Sequence, residues 1–255
     1  MDIFELLAHQ IHVLIGGRTG AGKSVCIAGI LLYIMQHVPD ARLILIDAKR
    51  VELYSVRRSR QCMLYADTAD SITAALQTAC AIMDSRYSAM QSAGCKRTRD
   101  APVYIVIDEL ADTLDICGKP AHMAIKRLLQ LGRAAGIHVV AATQHVARQT
   151  LPADLQINFT AVCALPCRTA IESRQLIGTA AAADLDTGSA YIITPDIHAP
   201  RLVSVPMVSD TDIAAAMQDA ANQPGTVPAY SPGGIPWALY IIGGLLCCII
   251  AAINQ

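Results

Sequence analysis

The sequence contains few charged residues, and beyond Asp219 it contains none. Only 16% of the residues are Asp, Glu, Lys or Arg, and the formal net charge is −1. The chain therefore has no overall basic field that would attract nucleic acid. Short basic clusters do occur, and each is either solvated surface or a local nucleic-acid contact: Lys49-Arg50, Arg57-Arg58-Arg60 and Lys96-Arg97-Arg99.

The motifs of several common site types are missing. Neither G-x-S-x-G nor H-E-x-x-H occurs, which excludes the serine hydrolases and metalloproteases that use them. The nine cysteines lack a metal-binding spacing, because Cys163 and Cys167 have no second pair or nearby His to complete a zinc site. We expect reduced, mostly buried thiols in a cytosolic domain. The first ten residues have no basic region or long apolar run, so no signal peptide is expected.

Apolar runs alternate with helical patterns along residues 1–222, which predicts one α/β domain with a mostly parallel sheet flanked by helices. Strands are predicted at residues 11–15, 43–46, 103–107, 138–142, 160–164, 190–193 and 201–205. Helices are predicted at residues 23–36, 68–93, 121–135, 170–176 and 211–221. A charge-free linker rich in Pro and Gly follows at residues 223–234.

The last part of the chain, residues 235–253, is a run of 19 residues without charge. As a helix it would be about 28 Å long, close to the roughly 30 Å of bilayer hydrocarbon. Trp237 and Tyr240 lie near its start, where interfacial aromatic residues are common. A buried core helix or a partner-binding segment is the alternative, and Gly243-Gly244 weakens any helix there. We expect a single transmembrane anchor in the cell membrane, with the preceding domain in the cytoplasm.

A phosphate-binding loop is predicted directly after the first strand. The sequence matches G-x-x-x-x-G-K-[ST] through Gly17, Arg18, Thr19, Gly20, Ala21, Gly22, Lys23 and Ser24. Glycines let successive N–H groups point at phosphate oxygens, and the following helix N-terminus favours negative charge. Lys23 would reach the β- and γ-phosphates of ATP, and the Ser24 hydroxyl would bind Mg²⁺. An ordinary glycine-rich turn is the alternative.

An acidic pair, Asp108-Glu109, follows the apolar strand at residues 103–107. A carboxylate at the tip of a strand beside a phosphate loop can hold Mg²⁺ through water, and a second can polarise the attacking water. We assign Asp108 to the metal and Glu109 to the catalytic base. The alternative is that both acids only cap the following helix.

Gln144 ends the apolar strand predicted at residues 138–142 and is a third candidate. In NTPases with an extra strand between the phosphate-loop strand and the acidic strand, its tip lies between the two sites. An amide there can contact the γ-phosphate and orient water. A loop glutamine without a role is the alternative.

Several motifs in order resemble the FtsK/SpoIIIE branch of the FtsK–HerA motors, over residues 12–212. Residues 43–53, LILIDAKRVEL, are similar to the family's LIDPKRVEL, with Ala48 in place of the usual proline. Residues 108–112, DELAD, are similar to DEFADL. GRAAGIH and ATQ at residues 132–138 and 142–144 resemble ARAAGIH and ATQ, and IESR at 171–174 resembles IDSR.

The resemblance implies a RecA-like P-loop NTPase that forms a ring, hexameric in this family, with ATP between subunits. It implies that Asp47 belongs to the nucleotide site. It further implies that Arg133 stabilises transition-state charge at its own or a neighbouring site, as arginine fingers do, with Arg174 as a second candidate. A surface arginine near a helix C-terminus is the alternative for Arg133.

Other features of the family are not found in the sequence. We therefore expect the protein to lack the N-terminal motor subdomain and the winged-helix module that reads orientation sequences, and we do not expect it to pump chromosomes over long distances. Residues 144–148, QHVAR, depart from the family's TQRP. If this loop faces the pore of a ring, His145 and Arg148 are candidate substrate contacts.

The predicted function is an ATP-hydrolysing motor that uses ATP and Mg²⁺ to translocate double-stranded DNA of a plasmid, conjugative element or phage. One alternative is a type VII secretion-like ATPase that moves proteins, which a membrane anchor suits equally well. Another is a nucleotide-gated membrane scaffold with slow turnover. The complete set of Lys23, Asp108 and Glu109 argues against the scaffold.

Overall fold

The computed structural model describes residues 2–146 and 150–222. Its central feature is an eight-stranded sheet with the strand order β3-β2-β4-β5-β1-β6-β7-β8. The strands are β1 (His12–Gly16), β2 (Arg42–Ile46), β3 (Cys62–Ala66), β4 (Val103–Ile107), β5 (Ile137–Thr143), β6 (Ala161–Ala164), β7 (Ser189–Thr194) and β8 (Ile197–Ser204). The first six strands in this order are parallel, and β7 and β8 are added antiparallel at one edge.

Seven helices accompany the sheet in the described part of the chain. They are α1 (Ile3–Ala8), α2 (Lys23–His37), α3 (Ala69–Ser92), α4 (Leu110–Leu131), α5 (Ala153–Gln156), α6 (Ala170–Ile177) and α7 (Asp210–Asn222), with short 3₁₀ turns at Val56–Arg58 and Ala181–Asp184. Local capping fixes some starts: Thr68 and Ser71 form a capping box at α3, and Thr169 accepts the Glu172 N–H at α6.

The core is divided into two layers by the sheet. On one face, Val13 and Ile15 of β1 pack among residues of α1, α2 and α7. On the other face, Leu14 packs among residues of α3, α4 and α6. Both β1 and β4 are buried along their whole length, as parallel strands covered on both faces must be. The continuous apolar runs in the sequence follow from this burial.

The structure confirms the predicted α/β architecture and the extra strand, because β5 lies between β1 and β4. All seven predicted strands are present, with ends shifted by a few residues. The short helices α1 and α5, the two 3₁₀ turns and the edge strand β3 were not predicted. The middle residues of β3 are only half-buried.

The prediction of a helix over residues 121–135 was wrong at both ends. Helix α4 begins at Leu110 and ends at Leu131. It is interrupted at Gly118, where φ is 61° and ψ is −144°, a conformation that is essentially restricted to glycine. Pro120 follows and has no N–H for a helical hydrogen bond. The acidic pair Asp108-Glu109 was assigned to the site, and the helix was predicted to begin only after Pro120, so the first turns of α4 were missed.

Within the described part of the chain, no helix combines the length and the apolar character needed to cross a membrane. The predicted linker at residues 223–234 and the predicted anchor at 235–253 lie outside the described residues. The domain boundaries therefore stay predictions.

Candidate active site

Four neighbouring strands end at the same edge of the sheet. Strands β2, β4, β5 and β1 are adjacent and parallel, so their carboxyl ends and the loops that follow come together, as in other open α/β sheets. β1 leads into the phosphate loop, and β2 leads into the segment that begins at Asp47. β4 leads to Asp108 and Glu109, and β5 leads to Gln144. The sheet thus brings the candidate residues from distant parts of the sequence to one place.

The phosphate loop curls tightly before α2. Gly20 and Gly22 have φ angles of 74° and 101°, values that side-chain-bearing residues rarely adopt. Helix α2 follows for 15 residues, beginning at Lys23. Its backbone bonding starts with the Cys26 N–H, which donates to the Gly22 carbonyl at 2.9 Å. The preceding N–H groups at the helix N-terminus are the kind that bind phosphate oxygens.

Lys23 lies folded over this loop. Its Nζ donates to the carbonyl oxygens of Gly17 and Arg18, both at 2.9 Å. Burial lowers the pKa of the Lys23 ammonium, the carboxylate of Glu109 opposes this shift, and the Lys49 ammonium adds to it. The ammonium is therefore partly desolvated and next to the N–H groups of the loop, where a phosphate would be its natural counter-ion.

Glu109 is held almost entirely out of solvent, with 1% of its surface exposed. Both carboxylate oxygens accept the backbone N–H of Gln144, at 3.2 and 3.1 Å, and Lys49 Nζ lies 3.5 Å from Oε2. Glu109 stands at the N-cap position of α4, but its side chain makes no capping hydrogen bond. Glu109 therefore does not cap α4 through a side-chain hydrogen bond, and its carboxylate is held between β4 and β5.

Asp108 is also buried, with 8% of its surface exposed. Burial raises the pKa of its carboxyl to about 7, and the carboxylates of Asp47 and Glu52 act in the same direction. A bound cation would relieve this repulsion and favour the ionised form. Asp108 is thus suited to the Mg²⁺ role predicted for it with Ser24.

No group of three His, Cys, Asp or Glu side chains within residues 2–146 and 150–222 could by itself hold a metal ion. Mg²⁺ at nucleotide sites usually binds one or two protein oxygens together with phosphates and water. A pair such as Ser24 and Asp108 is of that kind.

Gln144 connects the phosphate loop to the acidic pair Asp108-Glu109. Its backbone N–H binds Glu109, and its side-chain Oε1 accepts the Thr19 hydroxyl of the phosphate loop at 2.7 Å. Because β5 lies between β1 and β4, Gln144 is placed between the loop and the acidic pair, as predicted.

The segment after β2 is organised by Asp47, which is fully buried. Its carboxylate accepts the backbone N–H groups of Val51 and Leu53, at 3.2 and 3.1 Å, and the Tyr65 hydroxyl at 3.2 Å. The side chain therefore shapes the loop that carries Lys49. A direct contact of Asp47 with nucleotide stays a prediction.

Lys49 lies in the site, although the sequence pointed to it only as part of a short basic cluster. Its Nζ lies 3.5 Å from Glu109 Oε2 and 3.4 Å from Asp112 Oδ2. Partial burial disfavours its charge, but the carboxylates of Glu109 and Asp112 outweigh burial and raise the pKa of Lys49. That cluster lies in the LILIDAKRVEL segment, and both partners lie some 60 residues away along the chain.

The comparison with protein families agrees with this site. The model of the FtsK/SpoIIIE family matches residues 3–105, which include the phosphate loop and the segment after β2. A DNA translocase FtsK from Chlorobaculum tepidum is 28% identical over 246 residues, covering 87% of this chain and 30% of that protein.

Residues 3–105 of the chain therefore form an FtsK/SpoIIIE family domain. The chain spans about 30% of the length of this curated relative.

Solved structures give the same fold. The pCW3 conjugation coupling protein TcpA, in its monomer form with ATPγS, has a TM-score of 0.74 at 18% identity, covering 85% of this chain and 66% of that chain. The cytoplasmic domain of the Thermomonospora curvata type VII secretion ATPase EccC has a TM-score of 0.69 at 18% identity, covering 88% of this chain and 29% of that chain. At such identities the likeness confirms the α/β P-loop ATPase fold of this chain.

The two arginines assigned by family resemblance lie in different places. Arg133 is exposed in the turn before β5, so it lies at the amino ends of the strands, opposite the phosphate loop. Strand β5 has 7 residues, and a strand of that length separates the two edges by about 20 Å. Arg133 therefore does not reach the site of its own chain, which corrects one of the two options. Its action at a neighbouring subunit stays a prediction.

Arg174 lies nearer the phosphate loop. It is an exposed residue of α6, the helix whose Leu176 packs against Gly16 at the end of β1. Among the described residues, its guanidinium has no hydrogen-bond or ion-pair partner. Its catalytic role stays a prediction. Of the two candidate substrate contacts, His145 is exposed directly after Gln144, and Arg148 lies outside the described residues.

Proposed function

We propose that this chain is the ATP-hydrolysing motor of a DNA translocase. The observation that carries the proposal is the buried carboxylate of Glu109, fixed by the Gln144 N–H and Lys49 beside a phosphate loop. A scaffold that only binds nucleotide needs the phosphate loop but no positioned carboxylate. An enzyme that hydrolyses ATP also needs a carboxylate that can accept a proton from the attacking water.

Each side chain has a distinct task in this proposal. The N–H groups of the phosphate loop and Lys23 hold the triphosphate, with the Lys23 ammonium exchanging its two carbonyl acceptors for phosphate oxygens. Glu109 accepts a proton from the attacking water, which Gln144 orients. Mg²⁺, held by Ser24 and Asp108, would neutralise charge on the phosphates.

DNA as the moved polymer is supported by the relative named a DNA translocase. An assembly of identical subunits in a ring, hexameric as in the family, is supported by the position of Arg133. If Arg133 acts as an arginine finger, its position at the edge opposite the loop means that it acts at a site on another copy. We further propose a single-pass anchor at residues 235–253, with the motor in the cytoplasm, supported by the charge-free sequence of that segment.

The decisive experiment measures ATP hydrolysis by the full chain with and without duplex DNA. Glu109→Gln should abolish turnover while ATP still binds. The matched control Glu5→Gln makes the same chemical change on α1 and should leave turnover unaltered. DNA stimulation should weaken as salt rises, because phosphate contacts release counterions.

The outcomes separate the parts of the proposal. Turnover that depends on Glu109 but ignores duplex DNA would contradict DNA translocation and favour a protein-moving ATPase of the type VII kind. No turnover in the wild-type chain would contradict the hydrolytic role itself.

A further inference from the structure

Helix α3 contains a buried arginine, Arg86, that takes no part in the hydrolytic site. Only 8% of its surface is exposed. Its Nη1 group donates to the carbonyl oxygen of Ala135 at 2.7 Å and, over a longer distance of 3.4 Å, to that of Gly136. Its Nη2 group donates to the carbonyl oxygen of Ala101 at 2.6 Å, and Nε lies 3.5 Å from the Asp100 carboxylate. The guanidinium therefore bonds to two separate segments of the chain at once.

The two segments joined by Arg86 lead into the neighbouring strands β4 and β5. One is the loop between α3 and β4, residues 93–102. The other is the turn between α4 and β5, residues 132–136, which we call the Arg133 turn. The Thr98 N–H of the loop donates to the Ala134 carbonyl oxygen of the turn at 3.0 Å. The loop and the turn are thus bonded to each other directly as well as through the buried guanidinium.

A buried guanidinium is an unfavourable group with which merely to fill space. Burial lowers the pKa of Arg86, and the carboxylate of Asp100 opposes this shift. Because arginine keeps its proton in proteins, the buried charge has to be compensated by polar partners. The planar fork fixes the direction of each N–H group, and carbonyl oxygens of both segments fill it. The Arg133 turn is therefore held in place from inside the domain.

The side chain presented by this turn is that of Arg133. Its backbone is fixed, because the Gly136 N–H donates to the Arg133 carbonyl at 3.4 Å and the Ile137 N–H donates to the Gly132 carbonyl at 3.0 Å. The side chain itself is exposed. Within residues 2–146 and 150–222, its guanidinium has no hydrogen-bond or ion-pair partner. Arg133 thus combines a fixed backbone with an unengaged charge, as suits a group that acts on another molecule.

We propose that Arg86 is a positioning residue for ATP hydrolysis, which holds the Arg133 turn so that Arg133 reaches the triphosphate bound by a neighbouring copy; this inference rests on the proposed function. Arg86 contacts the segments before β4 and β5, so it lies at the edge of the sheet opposite the phosphate loop of its own chain. It acts only through the turn. A misplacement of a catalytic group by about 1 Å can lower a rate roughly 100-fold.

The first measurement compares steady-state ATP hydrolysis by full-chain variants with Mg²⁺ and duplex DNA. Arg86→Met should lower kcat by about 10- to 100-fold with little change in the KM for ATP, because the phosphate loop is untouched. Arg86→Lys keeps the charge but loses the planar fork, so it should recover only a small part of the rate. Arg127→Met removes a different charged contact between α3 and α4, with Asp84 at 2.6 Å, and should keep the wild-type kcat.

Mixing of variants separates positioning from a loss of folding. Arg86→Met copies keep an intact Glu109, and Glu109→Gln copies keep an intact Arg133 turn. In a head-to-tail ring each site lies between two copies, so complete sites form wherever an Arg86→Met site faces a Glu109→Gln neighbour. An equal mixture should recover about a quarter of the wild-type rate, since half of the sites keep Glu109 and half of those face an intact turn. An Arg86→Met chain that is unfolded, or defective in its own site, would give no recovery.

Thr98→Pro provides a second variant if Arg86→Met does not fold. It removes the N–H that bonds to Ala134 from an otherwise exposed loop and leaves Arg86 in place. It should also lower kcat and recover on mixing with Glu109→Gln. A wild-type kcat in either folded variant, or no recovery on mixing, would overturn the inference. Arg133→Ala tests the proposed function separately: if it keeps the wild-type kcat, or does not recover on mixing with Glu109→Gln, Arg133 does not act between copies.

Discussion

Replacement of Lys49 tests whether the structure has identified a positioning residue for the catalytic base. Lys49→Met removes the ammonium that lies 3.5 Å from Glu109 and 3.4 Å from Asp112 but keeps most of the aliphatic stem. Glu109 retains the Gln144 N–H, so the carboxylate loses one of its two restraints. We expect a lower kcat with little change in the KM for ATP, because the Lys49 contacts given by the structure are to carboxylates.

The size of the effect follows from the burial of the two partners. A hydrogen bond to a charged group contributes about 1.5–3 kcal/mol, which corresponds to roughly a 10- to 100-fold loss in kcat if it acts fully in the transition state. The Lys49 side chain is 38% exposed, and an ion pair of that exposure adds only about 0–1 kcal/mol to folding. Activity should therefore fall much more than stability.

Steady-state ATPase assays and thermal unfolding together check this prediction. Lys49→Arg should recover part of the lost kcat, since it restores the charge. Arg127→Met is the matched control, because it removes an exposed ion pair, with Asp84 at 2.6 Å, away from the site. An unchanged kcat in Lys49→Met, or a fall in Tm that explains the lost activity, would refute the positioning role.

Two further predictions concern stability. His12 is buried, and burial, with a smaller contribution from His138, lowers its pKa from 6.5 to about 3. Below pH 6.5 the unfolded chain therefore binds a proton at His12 while the folded chain does not. The contribution of His12 to the free energy of unfolding is thus fully present above pH 6.5 and is lost as the pH falls toward 3. The part due to His12 is about 2 kcal/mol between pH 7 and pH 5. Urea unfolding at both pH values should show that part missing in His12→Asn, and an identical pH dependence in the variant would contradict it. At the break in α4, Gly118→Ala should destabilise the fold by about 1–3 kcal/mol, because φ of 61° with ψ of −144° is unfavourable for alanine. Urea unfolding would again measure this, with Ala89→Gly in the regular helix α3 as a comparison of similar size, and a neutral or stabilising Gly118→Ala would show that α4 straightens.

The parts of the site that could be predicted from the sequence are those in which the functional residues lie next to each other in the chain. The phosphate loop and the pair Asp108-Glu109 directly follow buried apolar strands, so motif and context occur together. Gln144 was placed correctly because an inserted strand fixes its position in the sheet. Contacts between residues far apart in the sequence were harder to predict. Nothing near Lys49 in the sequence indicates that its ammonium would lie against Glu109.

The errors have equally specific physical origins. Strand β3 is a short edge strand whose alternation is weak, because Met63, Leu64 and Tyr65 are all half-buried. The position of Arg133 could have been obtained from topology, since a residue before a parallel strand lies at the edge opposite the site. The break in α4 had a local signal in Gly118 and Pro120. The start of α4 at Leu110 was missed because the preceding acidic residues were assigned to the site.

The hydrogen bonds of Gln144 couple the phosphate loop to the acidic residue after β4. Its side chain accepts a hydrogen bond from Thr19 of the phosphate loop, and its backbone N–H donates to the buried carboxylate of Glu109. A shift of Thr19 on nucleotide binding must either break the first bond or pull the second. His145 follows Gln144 directly, so the hydrogen bond to Thr19 also links the phosphate loop to the exposed residue after β5.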